Sequence, residues 1–392
     1  MPALGSATPP SPTVVPAPLR IALFTGNYVH IEDGVSRTLG RLVGYLTSQG
    51  HDVLVVGPTT ETPSMQQPGR FLPVPSLAAP GRPEYRVSTG FPAAQRAAVE
   101  AFQPHLVHIA TPDVLGHRAL RWAERRGLPV VSTYHTHFAS YLDFYRLGAA
   151  EGALWWALRR FYNRVDEVYA PTPTMAQALA AHGVTATVRL WPRGIELDRF
   201  SPSFRSDAWR ADHGFAPGDV VVTFVSRLVK EKAIGVFTEA VRRVQADGRS
   251  VRALVVGDGP ERTWFEAQLP HGVFLGHTSG AALSAAYASS DVFFFPSETE
   301  TFGNVTLEAQ ASGLPVLAAD AAGSRDLVAD GETGLLCPAR DTDAFTAALR
   351  RLADDPALRA RLGANARTAA TAYDWPSVLQ RMVTYYRGVL PD

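Results

Sequence analysis

Short apolar runs return along this chain, and most are apolar at nearly every position. The first half offers LRIALFT (19–25), DVLVVG (52–57), LVHIA (106–110), PVVSTYH (129–135), EVYAPT (167–172) and VRLW (188–191). The second half continues with VVVTFVSRL (220–228), VRALVVGDG (251–259), GVFLGHT (272–278), VFFFPS (292–297), PVLAAD (315–320) and TGLLCP (333–338). A strand with one wet face alternates apolar and polar residues, whereas continuously apolar runs belong to parallel strands covered on both faces. Amphipathic stretches such as RTLGRLVGYLTSQG and PAAQRAAVEAFQ lie between the runs. Strand–helix alternation of this kind gives doubly wound α/β domains.

The periodicity lapses in WPRGIELDRFSPSFRS (191–206), which marks a boundary. At about 150 residues per domain, a chain of 392 residues has room for two or three. The expected organisation is a tail over 1–18, a first Rossmann-like domain over 19–195 and a second over 196–374. A final amphipathic helix over 375–392 is expected to pack back on the first domain. The fold class is therefore α/β, with two Rossmann-like domains facing across a cleft. Ligands of such sheets bind beyond the carboxyl ends of the strands.

Composition narrows the function. Lys and Arg total 37 and Asp and Glu also total 37, so the basic excess that nucleic-acid binding needs is missing. Cys337 is the one cysteine, which rules out an intramolecular disulfide. No apolar run reaches the ~20 residues of a membrane span. The opening MPALGSATPPSPTVVPAP lacks the basic start and apolar core of a signal peptide. The expected location is the cytoplasm, with peripheral attachment to the inner face of the membrane.

The loops after the strands carry the chemistry. SRLVKEK places Arg227 and Lys232 where they could clasp a diphosphate, Arg in a fork and Lys as a point charge; solvated surface charge is the plain alternative. GDGPER is no dinucleotide fingerprint, because Arg262 stands where a glycine is required. Gly257 still permits close approach of a ligand, or simply a turn. In SETETFGNVTLEAQASG a helix is expected to begin near Asn304 and stop at Gly313. The amides of Phe302, Gly303, Asn304 and Val305 would then face an anion. Glu300 sits just ahead of that helix start and Glu308 just over one turn inside. Carboxylates accept hydrogen bonds from vicinal hydroxyls, so the set suits a ligand with hydroxyls at both ends and phosphate between. A cap partner and a solvated helix residue are the plain readings of the two glutamates.

In the first half, Asp33 and Gly34 precede another helix, and Gly34 would allow a phosphate or sugar to come close. His135 and His137 share a strand face, which admits a sugar contact, a structural role or a metal, the last with His108 as third ligand. The DTD of Asp341–Asp343 opens a helix and reads as capping, not as a metal motif.

In this order, the motifs resemble a retaining glycosyltransferase with the GT-B fold, of the large glycosyltransferase family four. The resemblance runs from Leu19 to the end. It rests on Glu300 and Glu308 around Phe302–Gly303, on SRLVKEK, GDGPE, GLLCPARD and GHDVLVVGP, and on STYHTHFASY. It implies that Arg227 and Lys232 hold the donor diphosphate, Glu300 the donor sugar and Glu308 the ribose. Phe302, Gly303 and Asn304 are the backbone neighbours of the sugar-binding Glu300 and belong to the donor site. Gly34 lies near the diphosphate and His135 near the transferred sugar. Glu300, His135, Arg227 and Lys232 thus stand at the reacting centre. The family acts without metal or other cofactor, by same-face attack in which the diphosphate oxygen helps to deprotonate the acceptor. IEDGVSRTL and TYHTHFASYLDFY are most similar to the branch of GDP-mannose-dependent α-mannosyltransferases and sulfolipid or glycolipid synthases.

The expected partners are a nucleoside-diphosphate sugar and a hydroxyl acceptor, lipid-linked in one reading. In GALWWALRRFYNRV (152–165), Leu154, Trp155, Leu158, Phe161, Tyr162 and Val165 form a core stripe. Trp156, Arg159, Arg160 and Arg164 fall opposite, and with Tyr141 are the candidates for acceptor or anionic membrane contact. The plain reading of that face is a solvated one. The rival functions are a nucleotide-sugar epimerase or hydrolase on the same fold, a dehydrogenase, and a non-enzymatic sugar-binding protein.

Overall fold

The computed structural model describes residues 17–31, 34–79, 82–134, 151–300 and 302–391. In chain order the strands are β1 (Arg20–Phe24), β2 (Asp52–Pro58), β3 (Arg70–Val74), β4 (Ser76–Ala79), β5 (Arg82–Ser88), β6 (Leu106–Ile109), β7 (Val130–Thr133), β8 (Glu167–Ala170) and β9 (Thr187–Leu190). They continue with β10 (Val220–Val225), β11 (Val251–Val256), β12 (Val273–Gly276), β13 (Val292–Phe295), β14 (Val316–Ala319) and β15 (Gly334–Cys337). The helices are α1 (Gly34–Ser48), α2 (Ala93–Phe102), α3 (Val114–Glu124), α4 (Glu151–Tyr162), α5 (Pro173–Ala181), α6 (Asp207–Asp212) and α7 (Ile234–Ala246). The later ones are α8 (Arg262–Gln268), α9 (Gly280–Ala288), α10 (Asn304–Ala311), α11 (Ser324–Leu327), α12 (Thr342–Asp354), α13 (Pro356–Ala370) and α14 (Trp375–Gly388).

Among the described residues, the strands form parallel, Rossmann-like sheets and the β4–β5 hairpin. By contacts the chain divides into two compact units, Met1–Ile109 with Asp113–Val130, and Ala110–Pro112 with Val131–Asp392.

In the first unit the strand order is β3-β2-β1-β6. Every β1 residue pairs in register with β2, from Arg20 with Asp52 to Phe24 with Val56. α1 buries Leu39, Leu42, Val43 and Leu46, the spacing of one helix face.

The second unit holds the ladder β7-β8-β9 and the six-stranded sheet β12-β11-β10-β13-β14-β15. β13 and β14 are buried at every position, as continuously apolar strands between two helical layers must be. Phenylalanines fill the core between sheet and helices: Phe224, Phe237, Phe265, Phe293, Phe294 and Phe295 are all fully buried. Most of their contacts are edge to face or tilted, with Phe224 and Phe237 centroids 5.4 Å apart, while Phe293 stacks on Phe295. α14 lies against β8 and β9: Tyr385 stacks on Tyr169 and donates its hydroxyl to the Leu190 carbonyl at 3.2 Å.

Candidate donor site in the second unit

The order of the six-stranded sheet reverses between β10 and β13, which are hydrogen-bonded neighbours with Val222 opposite Val292 and Thr223 opposite Phe293. At such a switch point the two loops leaving the carboxyl edge turn to opposite sides and open a crevice. Both loops carry the residues singled out above.

The loop after β10 is pinned by its neighbour. Leu228 donates its amide to the Asp258 carbonyl, and Glu261 donates to the Leu228 carbonyl, at 2.9 and 3.1 Å. A Cβ on Gly257 would lie 1.8 Å from the Ser226 carbonyl oxygen, and one on Gly259 2.4 Å from that of Leu228. Only glycine allows the two loops to close up, so the immediate work of GDG is to fix the SRLVKEK loop. A short 3₁₀ turn, Lys230–Lys232, then leads through Ala233 at φ 51° into α7.

That turn delivers Lys232 to Glu300. The ammonium Nζ lies 2.5 Å from Glu300 Oε1 and donates to Thr299 Oγ1 at 3.4 Å, and Ser297 Oγ donates to the same carboxylate oxygen at 3.5 Å. The two charged side chains are only 11% and 19% exposed. Glu300 is held from behind as well. Gly323, in the loop after β14, has φ 83°, and a Cβ there would lie 2.7 Å from the Glu300 carbonyl oxygen. Arg227 belongs to the same loop as Lys232 but is 75% exposed and pairs with Glu231 at 3.1 Å.

The N-cap of α10 is Gly303 (φ 92°), and among the described residues it supplies no side-chain cap to the first turn. Its leading amides thus keep their hydrogen-bonding capacity for an anion. Phe302 is buried, Val305 half-buried and Asn304 exposed. Among the described residues, the buried hydroxyls of Thr306 and Ser324 have no hydrogen-bond partner; they lie in the first turns of α10 and α11. Glu308 is one turn further in. Burial pushes its carboxyl up to about 7, while the Tyr287 hydroxyl, which donates to it at 3.0 Å, and the charge of Arg199 pull it back.

Ser297, Thr299, Tyr287 and Gly323 were not foreseen from sequence. The strand-end rule applied to β14 points to Gly323; nothing local marks the other three.

Gly34 opens α1 directly after the β1 loop and is exposed. His135, His137, Tyr141 and Asp33 lie outside the described residues. His108 is fully buried on β6, and burial pushes its pKa down to about 3, so it stays neutral. Among the described residues, no three His, Cys, Asp or Glu side chains gather as metal ligands. Asp341 caps α12 by accepting the Ala344 amide at 2.9 Å, and Asp343 pairs with Arg243 at 2.6 Å. On α4, Trp155, Leu158, Phe161 and Tyr162 are buried, while Trp156 is 57% exposed beside exposed Arg159 and Arg160. Arg164, just past the helix, is half-buried.

Two family models match the chain: "Glycosyltransferase Family 4" over residues 33–199 and "Glycosyl transferases group 1" over 205–369. A GDP-mannose-dependent alpha-mannosyltransferase of Mycolicibacterium smegmatis is 36% identical over 385 residues, covering 95% of this chain and 98% of that one. A sulfoquinovosyl transferase of Arabidopsis thaliana is 32% identical, over 93% of this chain and 72% of the other. Among solved structures, Anabaena Alr3699/HepE in complex with UDP and glucose superposes with a TM-score of 0.69 at 19% identity, covering 94% of this chain and 100% of that one. The motif order, the two parallel sheets and these likenesses agree: the chain belongs to glycosyltransferase family 4, and is a hexosyltransferase with the GT-B fold.

Proposed function

We propose that this enzyme transfers a mannose- or glucose-type hexose from a nucleoside-diphosphate sugar, with GDP-mannose the first candidate, to a hydroxyl of a lipid-linked acceptor. It does so with retention and without a metal ion. The observation that carries the donor half is the Lys232–Glu300 pair at the switch point, next to a helix start whose N-cap is a glycine. The name of the mycolicibacterial relative supports GDP-mannose, and the sulfoquinovosyl transferase supports the lipid acceptor.

In this reading the donor diphosphate lies at the start of α10. Negative charge there gains ~0.3–1 kcal/mol from the helix dipole, and up to ~2 kcal/mol when partly buried. Lys232 turns from Glu300 to the phosphate, and Arg227 leaves Glu231 to join it. Both neutralise the charge that grows on the leaving diphosphate, commonly the largest catalytic contribution. Glu300, released from the lysine, accepts hydrogen bonds from hexose hydroxyls, and Glu308 accepts them from the ribose. Gly257 keeps the β10 loop in place, and the backbone of Phe302, Gly303, Asn304 and Val305 lines the phosphate and sugar. Gly34 near the diphosphate and His135 near the hexose keep the roles the family resemblance gives them. The acceptor is deprotonated by the departing diphosphate oxygen on the same face, so no separate base is assigned.

The acceptor side rests on the outer face of α4. The Arg160 guanidinium lies 5.9 Å from the Trp156 ring centroid, beside Arg159. With Arg164, and Tyr141 of the preceding segment, this face would meet an acceptor or an anionic surface on the cytoplasmic side. Among the described residues, no helix is long and apolar enough to cross a membrane. The test is the anomeric configuration of the product made from GDP-mannose and a diacylglycerol-type acceptor, read by NMR with EDTA present. An α-linked product at an undiminished rate is expected. A β-linked product, a rate that EDTA abolishes and manganese restores, or donor turnover without any acceptor would each overturn the corresponding part.

A further inference from the structure

The first unit carries a depression of about 440 Å³ to which the proposed function assigns no role. Its lining includes Arg96 from α2, Arg118 and Arg121 from α3, and Arg125 and Arg126 just beyond α3, around Trp122. Among the described residues, no acidic side chain lines it. The chain has as many acidic as basic residues, so this concentration is local. Arg126 is neutralised: it pairs with Glu100 and lies 4.7 Å from the Trp122 ring centroid. Arg96 donates to the Phe91 carbonyl at 2.9 Å, which fixes it but leaves its charge in place. Among the described residues, Arg118, Arg121 and Arg125 have no carboxylate partner. The carboxyl end of α3 favours cations through its dipole, which accounts for the last turn. It accounts neither for Arg118, in the middle of the helix, nor for Arg96 arriving from a different helix.

Guanidinium groups gathered in a concave site repel one another and present several N–H forks, the geometry that recognises phosphate oxygens in pairs. We propose that this pocket binds a phosphate-bearing anion, separate from the donor. Two sources share that chemistry: a phospholipid headgroup and a free phosphate compound. The headgroup is a serious candidate because the β4–β5 hairpin runs straight into the pocket at Thr89. On it Leu77 and Val87 stand directly opposite one another, 66% and 45% exposed.

The full chain is tested with two probes, inorganic pyrophosphate by titration calorimetry and phosphatidylglycerol against phosphatidylcholine vesicles by co-sedimentation. The variant R118Q/R121Q/R125Q removes charges that hold no ion pair, and its thermal melt should match the parent. The single Arg121→Gln gives the same reading with a smaller change should the triple variant not fold. Lys232→Ala is the control for the donor site. At least a tenfold loss at one pyrophosphate site, or in vesicle binding, is expected in the triple variant and not in Lys232→Ala, which weakens only the separate pyrophosphate site of the donor; salt weakens the binding further. Loss confined to phosphatidylglycerol vesicles, shared by Leu77→Ser, assigns the headgroup. Loss confined to pyrophosphate assigns a free anion. The proposal is overturned if the triple variant binds both probes like the parent, if the parent binds neither, or if only Lys232→Ala loses binding.

Discussion

Lys232 and Glu300 meet although 68 residues separate them, because β10 and β13 are neighbours in the sheet. Each residue could be suspected from its loop; their pairing could not be read from sequence, since it depends on which strands adjoin. The same holds for Gly323. A Cβ there would press on the Glu300 backbone, and φ 83° is itself unfavourable for any other residue. Gly323→Ala is therefore expected to lower kcat/KM for the donor about tenfold or more while the protein stays folded, as steady-state kinetics beside a thermal melt would show. Glu308 makes a prediction with a sign. Its carboxyl titrates near 7 when folded, against 4.5 as the ordinary value. The folded protein thus holds a proton that the unfolded chain gives up. This group favours folding below the unfolded value, and that advantage is lost as pH rises to about 7. Glu308→Gln should raise the urea midpoint at about pH 8, leave it nearly unchanged at about pH 4, and weaken donor binding. A midpoint that rises equally at both pH values would contradict the assigned burial.

At the scale of elements, the apolar runs read from sequence all became strands, with ends shifted by up to three residues. β3, β4 and β5 escaped that reading for a physical reason. Pro73 and Pro83 lie within β3 and β5, and Pro75 separates β3 from β4. Proline cannot donate to a ladder and is confined to edges and bulges, and β3 is indeed the edge strand of its sheet. The helix start at Asn304 and the positive-φ glycine at Gly313 were legible because capping and termination are local. Asp341 was legible for the same reason. Asp341→Ala should cost about 0.5–2 kcal/mol of stability through the lost cap, and Asp341→Asn much less, in chemical denaturation. Neither change should alter the transfer rate with or without manganese. A rate that falls in both and responds to manganese would return these aspartates to a metal role.

For the molecule as a whole, strand–helix alternation sufficed to give two parallel-sheet domains, and motif order sufficed to give the family. What the alternation could not supply is the state of the charged groups. Arg227 and Lys232 read alike in sequence. The structure sets one on the surface with Glu231 and the other in a largely buried pair with Glu300. That difference makes Lys232 the stronger test. Calorimetric titration with GDP-mannose should show binding by the parent chain. The Kd should weaken at least tenfold, about 1.4 kcal/mol or more, in Lys232→Ala and in Glu300→Ala. A Kd unchanged in both variants would contradict a donor held at the start of α10 by this pair.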